Sequence, residues 1–171
     1  MKKANFLKLA VALFCGMMMP FFASCGDDDN EPESTTPSGA KAQYSVRVDN
    51  ATFEGYTVEV EYTDNSGHLA KEALSESNPV FDKGVIINGL PVTVELNIVA
   101  TPKDKSTLTK DKYDCVFTYG VGAAPVTNSG KLTSDVDVEV IAITQHGVQV
   151  DKMKTVTRSK SITISKDGKY I

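Results

Sequence analysis

From Tyr44 onward, apolar side chains recur at every second position, and this constrains the fold more than any other feature. Tyr44, Val46 and Val48 alternate with Ser45 and Arg47; Val58, Val60 and Tyr62 alternate with Thr57, Glu59 and Glu61. Val92, Val94, Leu96, Ile98 and Ala100 alternate with Thr93, Glu95 and Asn97. The same beat runs through Tyr113, Cys115, Phe117 and Tyr119, through Val136, Val138 and Val140, and through Ile162 and Ile164. Successive side chains of an extended chain point to opposite faces, so each run predicts a strand with one buried and one wet face. Val85-Ile86-Ile87 predicts a short strand, and a further one is expected near Val148 to Val156.

Turn residues separate these runs: Asp64-Asn65-Ser66-Gly67, Asn88-Gly89, Asn128-Ser129-Gly130 and Asp167-Gly168. His68 to Ser75 carries Leu69, Ala70, Ala73 and Leu74 at helical spacing, which a strand with a bent end also accommodates. Ile141-Ala142-Ile143 interrupts the alternation, as a bulge or a strand covered on both faces would. About seven short antiparallel strands in one domain predict an all-β sandwich. Gly89-Leu90-Pro91 ahead of a long alternating strand resembles turns of transthyretin-like and other immunoglobulin-like modules, and the resemblance implies that kind of sandwich.

The first residues have a different logic. Lys2, Lys3 and Lys8 precede an apolar run from Leu9 to Phe22 that is interrupted by Cys15, Gly16 and Pro20 and closed by Ala23 and Ser24. A basic start, a short apolar core and a small-residue end describe a secretory signal peptide over residues 1–24. A retained anchor helix is the alternative, but a spanning helix needs about 20 apolar residues. Phe22-Ala23-Ser24-Cys25 resembles a bacterial lipobox, with Phe22 where Leu is usual, and the run Asp27-Asp28-Asp29 resembles the surface-export signal of Bacteroidetes lipoproteins. The resemblance implies that Cys25 becomes the acylated first residue of an outer-membrane, surface-exposed protein held by its lipid. Two or more acyl chains anchor firmly where one binds only marginally. Cys15-Gly16 is a rival site, but processing there would leave Met17 to Phe22 exposed. Residues 25–42 are expected to form an acidic, flexible tether, since they lack the large apolar side chains that would offset ordering entropy. The sandwich is expected over residues 43–171.

Charge and inventory narrow the function. Net charge is −4; with Lys2, Lys3 and Lys8 removed, fifteen basic residues face twenty-two acidic ones, a net of −7. No basic footprint for nucleic acid gathers on any segment. His68 and His146 are the only imidazoles. Cys115 is the one thiol after Cys25 and falls in the apolar phase of its strand, where Cys acts as a small hydrophobe. No zinc spacing, phosphate loop or metal site is evident; the acidic run lacks the six to eight fixed oxygens of a tight Ca²⁺ site. Asn50-Ala51-Thr52 is a formal glycosylation triplet, read as chance. The expectation is therefore a non-catalytic envelope module without cofactor, binding glycan or other envelope proteins, or else a subunit or anchor of a surface fibre, with a secreted enzyme or inhibitor as the third reading. Phe53, Tyr56 and Tyr170 are the candidate ligand-binding aromatics, with packing at an edge or end as their alternative role.

Overall fold

The computed structural model describes residues 35–171, so the leader, Cys25 and the Asp27-Asp28-Asp29 run lie outside the described residues. Eight strands form two four-stranded antiparallel sheets, one more strand than the alternation indicates. The first sheet orders β4 (Val80–Asn88), β1 (Gly39–Val48), β6 (Lys112–Val126) and β7 (Asp137–Gln149). The second orders β3 (Leu69–Leu74), β2 (Tyr56–Thr63), β5 (Val92–Pro102) and β8 (Val156–Ile164). A single helical turn, α1 (Thr52–Gly55), joins β1 to β2. Only the β2–β3 and β6–β7 connections stay within a sheet; the other five cross the sandwich.

Alternation dictates the core. Ala40, Ala42, Tyr44, Val46 and Val48 of β1 face Val58, Val60, Val94, Leu96, Ile98, Ile162 and Ile164 of the other sheet, all buried. Tyr44, Tyr62 and Phe81 stack in a chain, with ring centroids 5.5 and 5.1 Å apart. Tilted aromatic pairs at this spacing are favourable beyond their burial. The Tyr44 hydroxyl donates to the Thr63 carbonyl at 2.7 Å, and burial drives its acidity far below that of ordinary tyrosine.

Each open side of the sandwich is closed by one lysine–glutamate pair. On one side Lys83 of β4 meets Glu72 of β3 at 2.6 Å and lies 4.7 Å from the Tyr62 ring centroid. On the other, Lys160 of β8 pairs with Glu139 of β7.

Several details differ from the sequence pattern. Residues 69–74 form a strand rather than a helix, because the turn at Asp64 folds them back onto β2 with Thr63 opposite Leu69 and Val58 opposite Leu74. β1 starts at Gly39, so residues 39–42 belong to the sheet rather than to the expected tether. No separate strand spans Val148 to Val156. That stretch is the end of β7, a 3₁₀ turn at Val150–Lys152, and the start of β8. The irregularity expected at Ile141–Ile143 lies further along. Tyr113 pairs with Val148 but Cys115 pairs with Gln145, so His146 and Gly147 bulge opposite Asp114. Ile141 and Ile143 are regularly paired and half-buried, and Val138 is 43 % exposed, because β7 is an edge strand.

Candidate functional site

An open cleft of about 510 Å³ lies at the end of the sandwich where the chain enters β1. Two turns build it: Asp64–His68, between β2 and β3, and Asn88–Pro91, between β4 and β5. Its lining mixes hydroxyl, amide and carboxylate groups (Thr63, Ser66, Asn88, Thr93, Glu95) with Leu69, Ile87, Leu90 and Pro91. Gly67 and Gly89 both take positive φ, at 80° and 91°, a conformation glycine adopts at little cost. The Leu90–Pro91 peptide is cis.

Asp64 organises the first turn. Its Oδ1 accepts from the Ser66 N–H at 2.8 Å, the Ser66 hydroxyl at 2.6 Å and the His68 N–H at 3.1 Å. These donors, the Ser66 hydroxyl foremost, hold the carboxyl below the ordinary aspartate range. Ser66 Oγ also lies 2.9 Å from His68 Nδ1. Hydroxyl, imidazole and carboxylate thus meet, but in the wrong sequence for nucleophile activation. A triad has imidazole between hydroxyl and carboxylate; here the serine proton goes to Asp64 through the short charge-assisted bond. The arrangement locks a turn.

His146 pairs with a carboxylate and not with the thiol. Its Nδ1 lies 2.9 Å from Asp114 Oδ2, on the solvent side of β6. Cys115, the next residue along, points to the core and is fully buried, so strand alternation puts a sheet between thiol and imidazole. Burial pushes the Cys115 thiol up to about 11, away from the thiolate a nucleophile needs.

Of the three candidate aromatics, two are buried. Tyr56 is 1 % exposed and Phe53 is 7 % exposed. Tyr56 falls in the inward phase of β2 with Val58, Val60 and Tyr62; Phe53 is the buried side of α1. Neither offers a ring face to a sugar. Tyr170 is 36 % exposed, but its hydroxyl is engaged, donating to the Ala123 carbonyl at 3.1 Å and accepting from the Asp137 N–H at 3.3 Å. It clamps the C-terminal tail to the start of β7. Cys25, Asp27, Asp28 and Asp29 fall outside the described residues.

The cleft itself escapes sequence reading because its two turns lie far apart in the chain. Its one local signal is Asp64-x-Ser66, an aspartate able to cap the backbone two residues on. Comparison with protein-family models, curated proteins and solved structures finds no match to this chain.

Proposed function

We propose that the chain is a non-catalytic, lipid-anchored envelope protein that serves as an accessory binding module of a surface assembly. The observation that carries this reading is the sequence Phe22-Ala23-Ser24-Cys25 after an apolar leader, with Asp27-Asp28-Asp29 beyond it. The fold supports it by where the chain enters: Ser38 donates its N–H to Val126 at 2.8 Å, at the end that holds the cleft. An anchor at Cys25 attaches the domain by that end. The connections at 49–55, 75–79, 103–111 and 150–155 then face away from it, and loops on a rigid sandwich are where recognition is commonly built.

Between the two kinds of ligand, burial of Tyr56 and Phe53 weakens glycan capture and leaves protein partners as the better-supported class. A fibre subunit remains the second reading, favoured by the exposed edge strand β7. The terminal strand β1 lies between β4 and β6 with Ala40, Ala42, Tyr44 and Val46 fully buried, so detaching it would split the sheet.

Mass spectrometry of the N-terminal peptide from membranes tests the anchor. The expected result is an acylated Cys25 as first residue, lost in Cys25→Ala; an unmodified Cys25 or processing elsewhere overturns the reading. Protease shaving of intact cells tests exposure. Replacing Asp27, Asp28 and Asp29 by Ala is expected to keep the lipid and reduce accessibility, and unchanged accessibility makes the acidic run a plain spacer.

A further inference from the structure

Among the described residues the strands form two layers, so the outer face of the first sheet has no third sheet over it. Alternation sends Gln43 and Ser45 of β1, and Thr118, Gly120 and Gly122 of β6, to that face. The outer face of an antiparallel sheet is ordinarily wet. Yet Gln43, Ser45 and Thr118 are only 7, 1 and 9 % exposed.

Gln43 is the informative residue. Its cross-strand neighbours are Gly84 and Gly122, which have no side chains to lay over it. Its Nε2 donates to the Tyr44 carbonyl at 3.4 Å, and its Oε1 has no partner among the described residues. A buried acceptor left unmet is costly, so such groups ordinarily meet a donor. The ground beside it is a trough floored by backbone at Gly120 and Gly122. Val138 and Val136 wall one side, 3.2 and 3.5 Å from where a Cβ on Gly122 would stand. A narrow, backbone-floored trough with one waiting acceptor suits an extended polypeptide that offers an N–H.

Charge narrows the occupant. Lys41 and Arg47 bracket Gln43 and Ser45 in the same phase of β1. Asp82, opposite Ser45, accepts from the Ser45 hydroxyl and lies 3.4 Å from Arg47 Nη2. Lys131 sits in the turn beyond β6, at the end where β1 begins.

We propose that residues 27–34 of the same chain fold back over this face, setting a backbone N–H on Gln43 Oε1 and carboxylates against Lys41 and Arg47. Three arguments select this segment over a second copy or a foreign chain. It carries Asp27, Asp28, Asp29, Glu31 and Glu33 and no Lys or Arg. It is covalently attached just ahead of β1, and a short linker presents its load at an effective concentration on the order of millimolar. It also reaches: Gln43 lies about 13 Å along β1 from Gly39, and residues 29–34 extend about 20 Å. The segment is then a cover that charge holds and salt loosens. The docking rests on the acidity of the segment and not on lipid at Cys25, so it stands or fails apart from the anchor.

The full-length chain, purified from the cells that make it, tests this with two readouts. A Glu-specific protease reports on the segment through cleavage after Glu31 and Glu33. An amine reagent reports on the face through labelling of Lys41. Cleavage should be slow in the parent. It should quicken about threefold or more in Lys41→Gln with Arg47→Gln, in Gln43→Ala, and in molar salt. Lys103→Gln with Lys105→Gln removes the same charge from the β5–β6 connection and should change nothing. Replacing Asp27, Asp28 and Asp29 by Asn, and Glu31 and Glu33 by Gln, should quicken Lys41 labelling about threefold or more. This variant leaves every contact of the sandwich intact, so it is the decisive case if circular dichroism shows a face variant misfolded. Equal cleavage in the parent and all face variants overturns the proposal. So does slow labelling of Lys41 that survives neutralisation of the segment, which would assign the face to another occupant.

Discussion

Asp114 accepts a hydrogen bond from the backbone N–H of Gly147 at 2.7 Å, across the one bulge in the β6–β7 ladder. The same carboxylate meets His146 Nδ1 at 2.9 Å. One side chain therefore holds both extra residues of the bulge and fixes where the regular part of β7 ends.

Replacing Asp114 by Ala should destabilise the domain by about 0.5–1.5 kcal/mol, the usual net worth of such a bond. The Gly147 N–H, aided by His146, holds the Asp114 carboxyl below the ordinary aspartate range. A carboxyl more acidic folded than unfolded stabilises above its unfolded value, near 3.9, and loses that contribution as pH falls through its lower folded value. Denaturant melts at pH 7 and near pH 2 should therefore differ less for Asp114→Ala than for the parent. Parallel acid sensitivity in both would remove Asp114 from that account.

Tyr56 and Tyr113 should respond oppositely to the same substitution. The Tyr56 hydroxyl is buried without a hydrogen-bond partner. Tyr56→Phe removes a desolvated polar group and no bond, so stability should be unchanged or rise by up to about 1 kcal/mol. A loss of stability would show that the hydroxyl has a partner in solution.

Tyr113 sits at the start of β6, and its hydroxyl accepts the N–H groups of Thr109 and Lys110 at 2.7 and 2.8 Å. The hydroxyl bonds back to the backbone a few residues upstream, as the tyrosine corner of Greek-key sandwiches does. Tyr113→Phe removes the acceptor of both N–H groups, which lie in an exposed loop, and should cost about 0.5–1.5 kcal/mol. The ring also packs against α1: a Cβ added at Gly55 would lie 2.7 Å from it. Gly55→Ala should accordingly lower the melting temperature, whereas Gly89→Ala, with open space but φ of 91°, tests backbone strain alone.

Cys115 should be silent toward thiol reagents in the folded domain and react stoichiometrically after denaturation, because it is fully buried and its thiol is held up to about 11. Cys115→Asp should cost about 3–5 kcal/mol by leaving a buried charge unpaired. Rapid labelling of the native protein would place the inward phase of β6 one residue away from Cys115.

The class of fold and the contents of the core were legible in the chain's alternation, since a period of two assigns each strand residue to a face whatever the strand's neighbours are. Tyr44, Val46, Val58, Val60, Leu96, Ile98, Cys115, Phe117 and Ile164 all stand where alternation puts them. Alternation also held the answer for Tyr56, which shares its phase with Val58, and reading that phase would have removed it from the ligand candidates. Pairing, in contrast, was decided only in three dimensions. A strand pattern carries no address: β1 bonds to β4 and β6, and residues 69–74 become a strand only because β2 is there to receive them. The cleft joins the β2–β3 hairpin turn to the β4–β5 turn that crosses between the sheets, and the exposure of β7 follows from its place at the end of a sheet rather than from its apolar composition. Those features are properties of neighbours, which chain-local periodicity does not encode.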